Sequence, residues 1–210
     1  MTLQRSQIIA TALQLLNQDG LDGVTVRKVA TQLNVHVGGL YWHVKNKQDL
    51  LDEMANTILS EEFAAVQPPE SGQVWSDWLV KIAQRLRKAL LAYREGGRVV
   101  AGAHLHRAVT LALLFVCIVD ALRAEGFQAD EARWLCRTVV SYTFGFVIEE
   151  QAGPTPDTVA QLQATGSHHP LLTAVLEDGS ASNRDTQTDF RMGLHYIIAG
   201  AQASREAVGM

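Results

Sequence analysis

The feature that most constrains the fold is the spacing of the apolar residues. Wherever they cluster they recur every three or four positions, and no run alternates with the period of two that a half-buried strand needs. Ile8, Ile9, Ala12, Leu13, Leu15 and Leu16 trace one helical stripe, and Gly20 follows where a helix end takes a left-handed residue. Thr25 is placed to cap a short second helix whose Val29, Ala30 and Leu33 share a face. Asn34 and Val35 then make a turn, and a third short helix is predicted over about 36–43. Asn46 is placed to cap a fourth helix that starts at Lys47 and presents Leu50, Leu51, Met54, Ile58 and Leu59. The pattern predicts an all-α chain.

Beyond the fourth helix, Pro68, Pro69 and Gly72 mark a break over 67–73. Trp75, Trp78, Leu79, Ile82, Leu86, Leu90 and Leu91 predict a helix of about five turns ending near Gly96. Helices over 108–124 and 130–151 follow, separated by Gly126. Gly153, Pro154, Pro156 and Gly166 predict a mobile loop with a helical insert over 152–167, and the last helices are expected at 170–176 and 186–205. With 210 residues, 47% of them hydrophobic, the chain can bury a sizeable core.

Other classes are excluded by what the chain lacks. Cys117 and Cys136 lie in apolar stretches without a CxxC or Cys/His pattern, which predicts reduced core thiols rather than a disulfide or zinc site. The N-terminus shows no signal-peptide core, so a cytoplasmic protein is expected. The longest apolar run, 108–119, is interrupted by Thr110, stopped by Asp120, and far short of the ~20 residues of a membrane span. Net charge is −4, but residues 1–47 carry Arg5, Arg27, Lys28, Lys45 and Lys47 against Asp19 and Asp22, a net of +3 that leaves −7 for the remainder. A basic end on an acidic body suits a protein that offers one end to phosphates.

Two short helices joined by a tight turn have the geometry for reading duplex DNA, the second entering the major groove while the first braces on the backbone. The second would present His36, Val37, Gly38, Gly39, Tyr41, Trp42 and His43, with Leu40 pointing inward. Tyr41 and His43 can hydrogen-bond to phosphates or base edges, the glycine pair allows close backbone approach, and Lys47 adds a cation at a helix start. A three-helix bundle with an incidental turn is the plain alternative.

The string from Gly23 to Ala30 (GVTVRKVA), then Leu33-Asn34-Val35, then Leu40 to Lys47 (LYWHVKNK), resembles the DNA-binding head of the tetracycline-repressor family, and most of all the member that names it. The similarity continues more faintly through Trp75, Asp77, Leu79, Ala89-Leu90-Leu91, Arg94, Gly96, Glu125-Gly126-Phe127 and Glu149. The resemblance implies an all-α homodimer with a helix-turn-helix DNA-binding domain over 1–46, a connecting helix over 47–66, and a ligand-binding and dimerisation domain over 67–210. It implies a repressor, not an enzyme, that binds palindromic operator DNA and is released by a small-molecule inducer. Carried over position by position, Thr25, Arg27 and Lys28 would contact DNA from the second helix. His36, Val37, Gly38, Gly39, Tyr41, Trp42, His43 and Lys47 would follow. The residues 36–39 depart from the pattern of the most similar member, so a different operator is expected.

In that member the resemblance implies a tetracycline with chelated magnesium, held by histidines, an asparagine, a glutamine and a carboxylate. Here Phe63, Ile82, Val100 and Ile118 stand at four of those polar positions, Ala103 replaces a threonine, and only Glu149 remains. A hard cation needs oxygen ligands or ordered water, so neither metal nor cofactor is expected. Polar drug groups left unpaired against this wall would each cost about 1–3 kcal/mol. The expected ligand is aromatic or lipophilic and antibiotic-like, enclosed by Phe63, Ile82, Leu86, Val100, Leu105, Ile118 and Trp134, with Glu149 or His104 as a polar handle. His104 and His106, two apart after Gly102, do not share a helical face and are not expected to bind metal.

The fourth helix is the expected transmitter, and helices 130–151 and 186–205 the expected dimer bundle, supplying Val139, Phe144, Val147, Leu194, Ile197 and Ile198. A helical carrier or enzyme without DNA binding is the competing class. Against an enzyme, no helix pairs a carboxylate with a histidine at i, i+3 or i+4, and there is no Gly-rich phosphate loop. Within the family an activator or a ligand-blind repressor would carry the same head.

Overall fold

The computed structural model describes residues 3–153 and 185–208, with side chains described to residue 206. Nine α-helices are formed by the described residues: α1 (Arg5–Asp19), α2 (Val26–Gln32), α3 (Val37–Leu40), α4 (Lys47–Phe63), α5 (Trp75–Leu91), α6 (Gly96–Ala101), α7 (Val109–Ala124), α8 (Ala129–Ala152) and α9 (Thr186–Val208). A 3-10 turn over Leu21–Gly23 joins α1 to α2. No strand occurs among the described residues, and none of their helices is long and apolar enough to cross a membrane.

The helix boundaries follow local chemistry. Thr25 caps α2 by accepting the Lys28 amide proton at 3.1 Å, and Asn46 caps α4 by accepting that of Asp49 at 2.8 Å. Gly20 ends α1 with φ +74°, a backbone region that costs glycine little. A side chain there would also strike the body, since a Cβ would sit 2.6 Å from Glu95 Oε2. The third helix is shorter than the pattern predicts: it is one turn, Val37–Leu40, and continues to His43 as a turn. Gly38 and Gly39 occupy half of its four positions, and glycine carries the largest backbone entropy cost in a helix.

A second difference lies after α5. The expected helix to Gly96 ends at Leu91, and a separate six-residue α6 follows, started by Glu95 at φ 54°. The periodic signal is lost there because Gly96 and Gly97 open α6 and only Val99 and Val100 mark its buried face. Gly96 cannot bear a side chain, because a Cβ would meet the Leu90 carbonyl oxygen at 2.3 Å. The part of the predicted loop beyond Gly153 and the helix predicted at 170–176 lie outside the described residues.

In the packing, α4 is central: it touches α1 on the head side and α5, α6 and α7 on the body side. α8 is the spine of the body, in contact with α5, α6, α7 and α9. α9 is fastened by Arg87 of α5. Its guanidinium bonds both Glu150 oxygens (2.9 and 2.5 Å), Gln187 Oε1 (2.6 Å) and Thr186 Oγ1 (3.1 Å), and lies over the Phe190 ring. Five donors on a planar group allow this one side chain to join three helices.

That packing places four of the six expected dimer residues inside the chain's own core. Val139, Val147, Leu194 and Ile198 are buried in the chain's own core, with Phe144 and Ile197 half-buried against it. On the outward faces stand Trp134, Ser141 and Gly145 of α8 and Met192 and Tyr196 of α9. The helical period fixes this, since the stripe facing α5 and α7 turns the residues between its members outward.

Candidate nucleic-acid interface and effector wall

The head sorts its residues sharply between inside and outside. Val29, Leu40 and Val44 are fully buried, and α2 packs against both α3 and α1. The residues between them point outward: Trp42 is 90% exposed and Tyr41 52%. Large aromatic side chains held in water by a rigid frame mark a surface that awaits a partner. His36, Gly38 and Gly39 are exposed beside them, as are Arg27, Lys28, Lys45 and Lys47, while Thr25, Val37 and His43 are half-buried. Thr25 has its hydroxyl engaged as the α2 cap. Lys28 pairs with Asp19 at 2.9 Å, so part of its charge is balanced within the head. Lys45 holds the turn before α4 through its amide, which donates to Asp49 Oδ2 at 2.8 Å.

The residues expected to enclose a ligand do not form one wall. Phe63, Ile82, Leu86, Val100 and Ile118 are buried together in the core where α4, α5, α6 and α7 meet, and Ala103 is half-buried at its edge. Leu105, Trp134, His104 and Glu149 stand on the outside. Trp134 and Glu149 are turned out because Leu135, Cys136, Val139, Val140 and Val147 face the core from the same helix. Trp134 instead borders a cleft with Arg137, Ser141, Tyr142 and Ile197. Leu105 lies in the turn between α6 and α7.

His104 has another role. Its amide donates to Asp52 Oδ1 at 2.9 Å and its ring Nδ1 lies 3.4 Å from Asp52 Oδ2. The magnesium of the family's naming member does not fit this donor set. The buried wall is hydrocarbon and Glu149 faces away from it, so these residues offer a hard cation no oxygen donor there. Of the cysteines, Cys136 is fully buried, and burial pushes its thiol up to about 12. It packs as a small apolar residue.

Two sets of contacts that the sequence did not reveal tie the head to the body. The first joins α4 to the α6–α7 turn. Asp52, 1% exposed, accepts from Gln48 Nε2 at 2.9 Å as well as from His104, and Gln48 also donates to the Gly102 carbonyl. Asp49 pairs with Arg107, and Asn56 bonds the Arg107 carbonyl and the Thr110 amide, each at 3.1 Å. The second joins the end of α1 to the α5–α6 corner. Leu21 donates its amide to Glu95 Oε2 at 2.6 Å, and Arg94 bonds Asn17 Oδ1 and the Gln18 carbonyl, both at 2.9 Å. The Leu21 amide, followed by the Arg98 and Arg94 guanidinium groups, holds the Glu95 carboxyl below its ordinary range against the opposing effect of burial. The only sequence cue was a pair of aspartates inside the apolar stripe of α4. Short α6 lies between the two sets and touches both α4 and α8.

The chain matches two sequence families: "Bacterial regulatory proteins, tetR family" over residues 8–54 and "Tetracyclin repressor-like, C-terminal domain" over residues 68–205. It is 35% identical to the tetracycline repressor protein class A of transposon 1721 from Escherichia coli, over 98% of this chain and 94% of that protein. Among solved structures it is similar to a variant of TetR from Acinetobacter baumannii AYE in complex with minocycline. There the identity is 33%, the TM-score 0.73, and the match covers 97% of this chain and 98% of the other. It is also similar to BioQ with its double-stranded DNA operator, at 26% identity and TM-score 0.70, covering 96% of this chain and 99% of the other.

Proposed function

The chain belongs to the tetracycline-repressor family of bacterial regulators, and from that membership we propose that it is a ligand-responsive transcriptional repressor that binds operator DNA. The observation that carries the reading is the exposed Tyr41–Trp42 pair on a frame fixed by fully buried Leu40 and Val44, beside Arg27, Lys45 and Lys47 at the basic end of an acidic chain. Thr25, Arg27, Lys28, His36, Val37, Gly38, Gly39, Tyr41, Trp42, His43 and Lys47 are the proposed DNA-facing set. Phosphate contacts from the basic residues position the head, and the stretch from His36 to His43, with α3 at its centre, meets the base edges. The family's members are transcriptional regulators, and we assign no reaction to this chain. The working compartment we propose is the cytoplasm.

The operator is proposed to be palindromic because a second copy pairs with the first across the outward faces of α8 and α9, at Trp134, Ser141, Gly145, Met192 and Tyr196. Four helices, two from each subunit, make a bundle of the usual kind and set the two heads roughly 34–36 Å apart, one duplex turn. The inducer is proposed to be an aromatic or lipophilic molecule that opens the core at Phe63, Ile82, Leu86, Val100 and Ile118. No metal is assigned to it, since that surface offers no oxygen donors. Displacement of α6 would pull on both sets of head–body contacts at once. A hundredfold loss of operator affinity requires the ligand to favour the released conformation by about 2.7 kcal/mol.

The test is a gel-shift titration on the DNA upstream of the chain's own coding sequence, with the wild type and Trp42→Ala. Wild type should give a saturable, competitor-resistant complex. Trp42→Ala should lose it while its melting temperature stays unchanged, because so exposed a side chain carries little folding energy. Equal binding by the variant, or only salt-sensitive binding indifferent to sequence, would sink the proposal.

A further inference from the structure

The start of α3 holds a histidine whose ring is set by the backbone. The Gly38 amide donates to His36 Nδ1 at 3.1 Å, so the imidazole itself caps the helix. A backbone N–H only donates, so Nδ1 must offer its lone pair, and the neutral ring carries its proton on Nε2. The ring is exposed. Its place depends on the next residue but one, because a Cβ at Gly38 would lie 3.1 Å from Nδ1 and 3.5 Å from Cε1. At Gly39 a Cβ would meet nothing within 4 Å, so that position faces open space without filling it. Val37 and Leu40 complete the helix, half-buried and fully buried. The side chains of α3 therefore contribute no hydrogen-bonding group of their own, and the donor at its leading end is His36 Nε2–H.

We propose that His36 is a base-reading residue that selects guanine through Nε2–H. The inference rests on the reading that α3 enters the major groove. A lone donor also meets an acceptor at adenine N7 and at thymine O4, but the amino protons of adenine N6 flank the first and the C5-methyl crowds the second, cytosine offers only a donor, and guanine alone presents two adjacent acceptors, N7 and O6. Gly38 and Gly39 let the helix end approach closely enough for this short side chain to reach. Gly38 is accordingly a positioning residue for the ring.

The experiment is selection from a randomised duplex library at fixed salt, using the full-length chain as wild type, His36→Asn and His36→Gln. Asparagine keeps a good helix cap but is too short to carry the donor outward. Wild type should favour guanine about five- to tenfold at one position of each half-site. His36→Asn should lose that preference alone, with the other positions and the affinity for random duplex unchanged. His36→Gln should move the same position toward adenine, which glutamine matches with a donor and an acceptor. Imidazole nitrogen NMR on the free protein should place the proton on Nε2. The inference fails if the proton is on Nδ1, if His36→Asn leaves every base preference as it was, or if it weakens random duplex as much as operator. Each of those results leaves the operator-binding reading standing. Selection of no duplex by wild type overturns that reading and this inference together.

Discussion

Replacing Asp52 with alanine should detach α4 from the α6–α7 turn without touching a DNA-facing residue. The carboxylate accepts two hydrogen bonds of 2.9 Å, from Gln48 Nε2 and from the His104 amide. Bonds to a charged acceptor contribute about 1.5–3 kcal/mol each. Gln48 is half-buried and can turn to water, so its share is partly recovered. The ring contact at 3.4 Å adds about 0–1 kcal/mol, since the His104 side chain is 56% exposed and solvent screens it. The loss should come to about 2–4 kcal/mol. Asp52→Asn is the control. Both strong donors point at Oδ1, which the amide retains, and its NH2 can face His104 Nδ1, so the cost should stay below about 1 kcal/mol. Urea unfolding measures the free energies, and hydrogen exchange at the His104 amide reports the local bond. If Asp52→Ala unfolds within about 0.5 kcal/mol of wild type and the His104 amide remains protected, α4 is not held to the body in this way.

Two further perturbations follow from the same structure. Arg87→Met leaves Glu150 unpaired in a largely buried setting and should cost about 3–5 kcal/mol in urea unfolding, with faster exchange along α9, and adding Glu150→Met should recover much of the loss. Glu95 is held below its ordinary value of 4.5 when folded, so its contribution to the α1–α6 contact is complete above that value and is lost as pH falls through the lower folded value. Acid titration of wild-type stability should show this slope and Glu95→Gln should not, equal slopes in the two proteins being the contrary result.

Much of this protein could be read from residues near one another in the chain. A three-to-four spacing of Ile8, Leu16, Leu50 and their neighbours dictates helices, Thr25 and Asn46 cap the bonds expected of them, and the inward Leu40 among outward neighbours is set by one helical turn. These signals act over at most four residues, which is the reach of a backbone hydrogen bond or a capping side chain. What tertiary structure decided has longer reach. Leu21 meets Glu95 across 74 positions and Asp52 meets His104 across 52, and no local pattern records either partner. The division of the expected ligand wall has the same origin. Ile118 and Trp134 both read as apolar helix residues, but only the docking of α7 and α8 against the rest of the body decides that one is sealed inside and the other stands 64% exposed. An amphipathic helix fixes which residues share a face, and the neighbour it packs against fixes which face is buried.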